Sequence, residues 1–233
     1  MLTDLSQHNE WAMFIDDAAR KRLLMGLFEA YYAECDKEII FDTHRGWLTK
    51  LPALVDMFPE AKFICCVRNP AWIMDSFERL VQRNPYELSG IYNYDISGSV
   101  YSRVEGLSAP TGMYGYAYNA LREAVFGPYR DRLMILRYES LVTRPLAVLF
   151  KIYEWLGQTW TAPCPHDPES ISSVDDAMRE FDLRLGSPGL HDVGSRVNGA
   201  VRESSALPLD VWERFKSADF WQYPEQHPPL RRI

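Results

Sequence analysis

The sequence predicts an α/β fold in which a central parallel sheet is flanked by helices. Short and almost continuous apolar runs at 62–67 and 132–137 have the length and composition of strands that are buried on both faces. Segments with helical spacing of apolar residues stand before and after each run. Strands that alternate with helices lie parallel in one sheet. The 233 residues, of which 47% are hydrophobic, predict a single domain, 1–233.

The N-terminal part of the chain predicts a helix, a strand and a second helix. Apolar residues recur at intervals of three and four over 17–34, which predicts an amphipathic helix. The β-branched run from Lys37 to Phe41 predicts a short strand. Helical spacing returns over 47–58, and Pro59 follows where the helix should end.

Further strand and helix units follow along the chain. The strand at 62–67 leads to Pro70, a residue that favours the first turn of a helix. The stretch 86–112 is rich in Tyr, Ser, Asn and Gly, which predicts loops and short helical pieces. Helices are predicted at 113–126, at 146–156 and at 208–220, with a proline-rich loop between the last two.

Charge, hydropathy and cysteine content exclude several classes of function. The formal net charge of −7 argues against a surface that coats nucleic acid, so any phosphate site must be local. Neither a signal peptide nor an apolar run of about 18 residues is present. We therefore expect a soluble, cytoplasmic protein that binds neither nucleic acid nor a membrane. The four cysteines form no CxxC pattern, so we expect no metal site.

The strongest signal for a binding site is the segment KFICCVRNPAWIMDS at 62–76. Arg68 follows a buried strand, at the sheet edge where open α/β folds bind ligands. Ser76 lies eight positions later, in the helix that starts near Pro70. Because the first N–H groups of a helix attract anions, Arg68 and Ser76 are placed to hold a phosphate. The alternative is that Arg68 pairs with a surface carboxylate and Ser76 has no ligand.

This segment resembles the second nucleotide motif of the sulfotransferases that use 3′-phosphoadenosine 5′-phosphosulfate (PAPS). That motif is an apolar strand, then Arg-Asn-Pro or Arg-Asp-Pro, then a Ser eight residues after the Arg. The resemblance implies that Arg68 and Ser76 bind the 3′-phosphate of the nucleotide. IIFDTHRGWLTKLPAL is similar to the family's Lys-Thr-His segment, and RYESLVTRPLAVLFKIYEWLG to its Tyr-Glu-Asp-Leu segment. The family's fold is a P-loop-like three-layer sandwich.

Three further site residues are implied by the same resemblance. His44 stands where the family has its general base, and an imidazole ionises near neutral pH, as this role needs. A hydrogen-bonded structural histidine is the alternative. Tyr138 is placed to stack on the adenine ring; the alternative is that Tyr138 is a core residue. The carboxylate of the next residue, Glu139, could hold a neighbouring loop in place. LHDVGSRVNGAVR resembles the basic loop that closes over the nucleotide, which makes Arg196 a candidate second 3′-phosphate contact.

One family segment has no counterpart in the sequence. The loop of Pro-x-Ser-Gly-Thr-Thr type, which cradles the 5′-phosphosulfate, finds no match. A GxxxxGK[ST] loop is also absent, so a kinase ranks well below the other interpretations. Either the phosphosulfate loop lies upstream, or the protein has lost it and kept the fold. A sheet without that first unit would favour a homo-oligomer.

The sequence therefore predicts a PAPS-dependent sulfotransferase. It would transfer a sulfuryl group to a hydroxyl or amine of a small-molecule acceptor and release adenosine 3′,5′-bisphosphate, without a metal. The alternative is a catalytically silent protein of the same fold that binds nucleotide or a protein partner. The sequence does not identify the acceptor.

Overall fold

The computed structural model describes residues 10–83, 86, 98–159, 176–184, 188–189, 191–192, 204–223 and 231–233. The chain divides into two compact units, Met1–Ala61 and Lys62–Ile233. The single domain expected from the sequence therefore stays a prediction. In the described part of the chain, no helix has both the length and the apolar character needed to cross a membrane.

The described residues of the first unit form two α-helices. Helix α1 is Asp17–Tyr31. The preceding residue, Asp16, caps its first turn, because the Asp16 carboxylate accepts the backbone N–H of Ala19 at 2.6 Å. A 3-10 turn at Trp47–Lys50 leads into helix α2, Leu51–Met57. Both predicted helices of this region are confirmed, although α1 is shorter than 17–34.

The strand predicted from Lys37 to Phe41 is wrong. This segment is irregular, and its apolar side chains Ile40 and Phe41 are 44% and 47% exposed. A strand forms only where a neighbouring strand completes its hydrogen bonds, and no described strand pairs with this run. β-Branched composition alone was therefore an insufficient signal.

The second unit contains a sheet of three described parallel strands in the order β1-β2-β3. They are β1, Phe63–Val67, β2, Leu133–Arg137, and β3, Arg231–Arg232. Phe63 is paired with Leu133 and Val67 with Arg137, so β1 and β2 end at the same edge of the sheet. The parallel pairing confirms the predicted α/β fold, and the residues that follow β1 and β2 lie side by side.

Helices flank this sheet. They are α3, Pro70–Arg83, α4, Val100–Ser108, α5, Met113–Phe126, α6, Tyr138–Thr143, α7, Pro145–Leu156, α8, Asp176–Arg184, and α9, Leu209–Lys216. The helices predicted from Pro70 and at 113–126 are confirmed. Gly157 ends α7 with a φ of 78°, a left-handed conformation that glycine adopts without strain. The sequence did not predict α8, because five of its nine residues are charged and its apolar positions are few.

Two apolar clusters lie in the second unit, and the one at the sheet explains the continuous apolar run of β2, whereas β1 leaves Cys66 exposed and is not covered on both faces as the sequence predicted. One lies between β2 and α7 and contains Met134, Leu136, Val148, Ile152 and Trp155. On the opposite face of β2, Leu133 and Ile135 are also buried, with 1% and 0% exposure. The other cluster joins α3, α4 and α9 and contains Ala71, Met74, Val104, Leu107, Leu207, Val211 and Phe215. Burial on both faces requires apolar residues at successive strand positions, not alternating ones.

Candidate functional site

Arg68 occupies the carboxyl end of β1. Its Cζ lies 4.2 Å from the centroid of the Tyr138 ring, within the range of a cation–π contact. The side chain is 17% exposed, and Glu139 Oε1 lies 4.0 Å from its Nε, too far for a hydrogen bond. The Nε of Arg68 is buried and has no hydrogen-bond partner among the residues that the structure describes. A buried donor without a partner costs free energy, which a bound anion would recover.

The strand register explains why these side chains meet. Arg68 follows Val67 and Tyr138 follows Arg137, and Val67 and Arg137 are direct neighbours in the sheet. Tyr138 is also the first residue of α6, which places Glu139 in the first turn of that helix. The structure thus brings together Arg68, Tyr138 and Glu139 at the sheet edge where the sequence predicted a ligand site. Their individual roles stay predictions.

Asn69 holds the turn between β1 and α3. Its Oδ1 accepts the backbone N–H of Ala71 at 3.0 Å, and its Nδ2 donates to Lys216 O at 2.8 Å and to Asp219 Oδ2 at 2.9 Å. Asp219 is only 4% exposed and also accepts from Gln222 Nε2 at 2.6 Å. Asn69 therefore fixes the backbone beside Arg68 and leaves ligand contacts to other side chains. Sequence analysis missed Asp219, which is 150 positions away and belongs to no motif.

Helix α3 carries Ser76 next to a buried anchor. Ser76 is half-buried. Asp75 is fully buried; its carboxylate accepts from Ala206 N at 2.6 Å, Ser205 Oγ at 3.2 Å and Arg79 Nε at 2.9 Å. Asp75 thus ties the segment at 204–207 to the helix, while the Ser76 hydroxyl can accept or donate to a ligand.

His44 belongs to the first unit. Its Nδ1 accepts the backbone N–H of Gly46 at 3.1 Å, and its ring lies tilted against Trp47 with centroids 5.2 Å apart. Asp42 accepts from Trp47 Nε1 at 2.8 Å and from the Tyr32 hydroxyl, and that second bond raises the pKa of Tyr32 to about 12. His44 is exposed, and its role as a base stays a prediction.

The remaining predicted contact, Arg196, lies outside the described residues. Within the part of the chain that the structure describes, no group of three or more His, Cys, Asp or Glu side chains could hold a metal ion. Cys65 on β1 is buried, and burial together with the neighbouring Cys66 raises the pKa of its thiol to about 12. Cys65 is therefore a protonated core side chain at neutral pH.

Comparison with known proteins identifies the family. The model of the sulfotransferase family matches residues 2–162, more than half of the 233 residues. A search of the curated proteins and of the solved structures finds no significant match. The matched range contains β1, β2 and the side chains of Arg68, Ser76 and Tyr138. The chain belongs to the sulfotransferase family.

Proposed function

We propose that this protein transfers a sulfuryl group from PAPS to the hydroxyl or amine of a small-molecule acceptor. The observation that carries the proposal is the Nε of Arg68, which is buried at the carboxyl end of β1 and finds no hydrogen-bond partner in the described part of the chain. An arginine in this position binds an oxyanion strongly, because few water molecules screen its charge there. Membership of the sulfotransferase family supports sulfuryl transfer in general.

The residues present fit the 3′-phosphate of this donor. Arg68 would supply charge and N–H donors, and Ser76 would supply a hydroxyl from the helix that begins directly after Arg68 and Asn69. Tyr138 would hold the guanidinium and lie beside the nucleotide base. Arg196 is proposed as a second phosphate contact. When bound, the donor supplies the sulfuryl group, and adenosine 3′,5′-bisphosphate is the leaving group.

The site also contains an opposing charge. Glu139 is 40% exposed and lies 4.0 Å from Arg68 Nε, so its carboxylate neutralises part of the guanidinium charge before a ligand binds. A phosphate must compete with this carboxylate. We therefore expect moderate affinity, which suits a product that has to leave after each turnover.

A transfer assay tests the proposal. The protein is incubated with PAPS that carries radiolabelled sulfate and with a panel of phenols, aliphatic alcohols, sugars and amines. We expect labelled product and acceptor-dependent release of the bisphosphate with at least one class. Arg68→Ala should lower kcat/KM about 10- to 100-fold, since hydrogen bonds to a charged group contribute about 1.5–3 kcal/mol.

Two outcomes count against the proposal. If Arg68→Ala were as active as the native protein, the assignment of Arg68 to the phosphate site would be contradicted. Binding of the bisphosphate without transfer to any acceptor would instead favour the catalytically silent interpretation.

A further inference from the structure

Two buried polar atoms of the second unit have no hydrogen-bond partner among the described residues. One is Oδ1 of Asp219, and the other is the hydroxyl oxygen of Tyr114. Asp219 is 4% exposed, and its Oδ2 accepts from Asn69 Nδ2 at 2.9 Å and from Gln222 Nε2 at 2.6 Å. The proposed phosphate site uses neither Asp219 Oδ1 nor Tyr114, so a different role has to explain these two atoms.

Helix α5 holds Tyr114 against the segment that carries Asp219. Tyr114 and Tyr118 are one helical turn apart on α5, and their ring centroids are 5.4 Å apart. The Tyr118 hydroxyl donates at 2.7 Å to the carbonyl of Ala218, the residue directly before Asp219. The Tyr118 ring also contacts the ring of Trp221, with centroids 6.3 Å apart. The backbone on both sides of Asp219 is thus packed against α5, which brings the carboxylate to the aromatic rings.

The electrostatics of the two tyrosines agree with this geometry. Burial raises the pKa of the Tyr114 hydroxyl, and the neighbouring Tyr118 and Asp219 raise it further. Burial also raises the pKa of Tyr118, while Arg122 lowers it and Asp219 raises it. The charge of Asp219 therefore acts on both tyrosines, although neither hydroxyl donates a hydrogen bond to its Oδ1.

The carboxylate of Asp219 has no counterion among the described residues. Both donors to its Oδ2 are neutral amides. Arg122 lies over the Tyr118 ring, with its Cζ 6.0 Å from the centroid, but forms no described ion pair with Asp219. A buried charge without a counterion is costly, so a cation that binds there recovers free energy. An alcohol or a water molecule could also bond to both unpaired atoms, but it would leave this charge uncompensated.

We propose that Asp219, Tyr114 and the ring of Tyr118 form a binding site for the ammonium group of a small organic amine. One N–H of the ammonium donates to Asp219 Oδ1 and a second to the Tyr114 hydroxyl oxygen; a primary ammonium has three such donors. The aromatic rings beside the carboxylate favour a positive charge. Gln222 is exposed and bonds to the same carboxylate, so rotation of its side chain gives a ligand access from solvent.

NMR saturation-transfer titrations with propylammonium and with its neutral analogue 1-propanol test the preference for a cation. The two probes have the same number of heavy atoms, and sodium chloride keeps the ionic strength equal. We expect the native protein to bind propylammonium with a Kd of about 1 mM and at least about tenfold more tightly than 1-propanol. Equal affinities, or no binding of propylammonium, would overturn the proposal. These titrations need no sulfuryl donor, so their outcome does not depend on the proposed transfer.

The variant Asp219→Asn locates the site. It removes the charge and keeps the shape of the side chain, so the affinity for propylammonium should fall about tenfold or more. Asp210→Asn is the matched control, because Asp210 is exposed in α9 and accepts from the Tyr101 hydroxyl at 3.3 Å. This control should leave the affinity unchanged. A preference for propylammonium that survives Asp219→Asn would overturn the proposal.

The variant Tyr114→Phe tests the site without changing the bond between Asn69 and Asp219, and it stays decisive if Asp219→Asn does not fold. Because it removes a buried hydroxyl without a described partner, the variant should resist urea at least as well as the native protein. Its affinity for propylammonium should fall about 3- to 10-fold. Tyr116→Phe, at an exposed position of the same helix, should keep the native affinity. Unchanged affinity of Tyr114→Phe would overturn the proposal.

Discussion

The guanidinium of Arg68 lies against the ring of Tyr138, with 4.2 Å between Cζ and the ring centroid, while no described residue accepts a hydrogen bond from its Nε. The contact joins the ends of two neighbouring strands and needs no side-chain hydrogen bond. The N–H groups of Arg68 therefore stay available while the side chain is held in place. Three predictions concern this site and its anchor, and a fourth concerns the core.

Tyr138 should contribute to phosphate binding by holding Arg68. Tyr138→Ala removes the cation–π contact, which is worth about 1 kcal/mol when partly buried, so affinity for adenosine 3′,5′-bisphosphate should fall about fivefold. Tyr138→Phe keeps the ring and serves as the matched control. Calorimetric titration measures both variants. Equal affinities of the alanine and phenylalanine variants would show that the ring does not hold the guanidinium.

Glu139→Gln should strengthen binding. The substitution removes a negative charge 4.0 Å from Arg68 Nε that opposes the incoming phosphate, and we expect affinity to rise about 3- to 10-fold. Because salt screens this repulsion, the difference between Glu139→Gln and the native protein should shrink as salt is added. Weaker binding by Glu139→Gln would mean instead that the carboxylate orients Arg68.

Asp75→Ala should strongly destabilise the second unit. It leaves Arg79, Ser205 and the Ala206 N–H without their buried acceptor, and loss of one partner of a buried pair costs about 3–5 kcal/mol. Urea unfolding measures the decrease in the free energy of unfolding. Glu105→Gln, at the exposed pair with Arg214, is the control and should cost less than about 1 kcal/mol. If Asp75→Ala and Glu105→Gln lowered the free energy of unfolding by similar amounts, the anchoring role of Asp75 would be contradicted.

Cys65 should resist alkylation in the folded protein. Its raised pKa, about 12, leaves almost no thiolate at pH 8, and the thiolate is the reactive form. Iodoacetamide should therefore modify the exposed Cys35 first and Cys65 only after unfolding. Peptide mass spectrometry follows each site. If Cys35 and Cys65 were alkylated at comparable rates at pH 8, then either β1 opens readily or the Cys65 thiol is not buried.

Local patterns in the sequence predicted the parts of the fold that depend on burial. The apolar runs at 62–67 and 132–137 became β1 and β2; both faces of β2 are covered, whereas β1 buries Cys65 and Val67 on one face and leaves Cys66 exposed on the other. The run at Lys37–Phe41 has similar β-branched character but finds no partner strand among the described residues, and pairing is a property of the whole sheet. The local composition of a segment therefore does not indicate whether a partner strand is available.

The site residues that lie within one short motif could be predicted from the sequence. The residues that are distant in the sequence and meet only in the folded chain could not. Arg68 and Ser76 lie within one short segment, so their spacing was visible in the sequence. The bond from Asn69 to Asp219 joins residues 150 positions apart. Asp182, whose carboxylate accepts the backbone N–H of His191 and contacts its ring Nδ1, lies in a helix with few apolar residues. Only the folded chain shows that a carboxylate is buried and which ring nitrogen it contacts.

A calorimetric titration with adenosine 3′,5′-bisphosphate and with AMP is the sharpest test of the phosphate site at Arg68. We expect micromolar binding of the bisphosphate, much weaker binding of AMP, and loss of this preference in Arg68→Ala. Arg68→Lys should recover only part of the affinity, since an ammonium cannot bind a phosphate through two parallel N–H groups. Equal binding of both nucleotides, or a preference for the bisphosphate that survives Arg68→Ala, would show that Arg68 does not bind the 3′-phosphate.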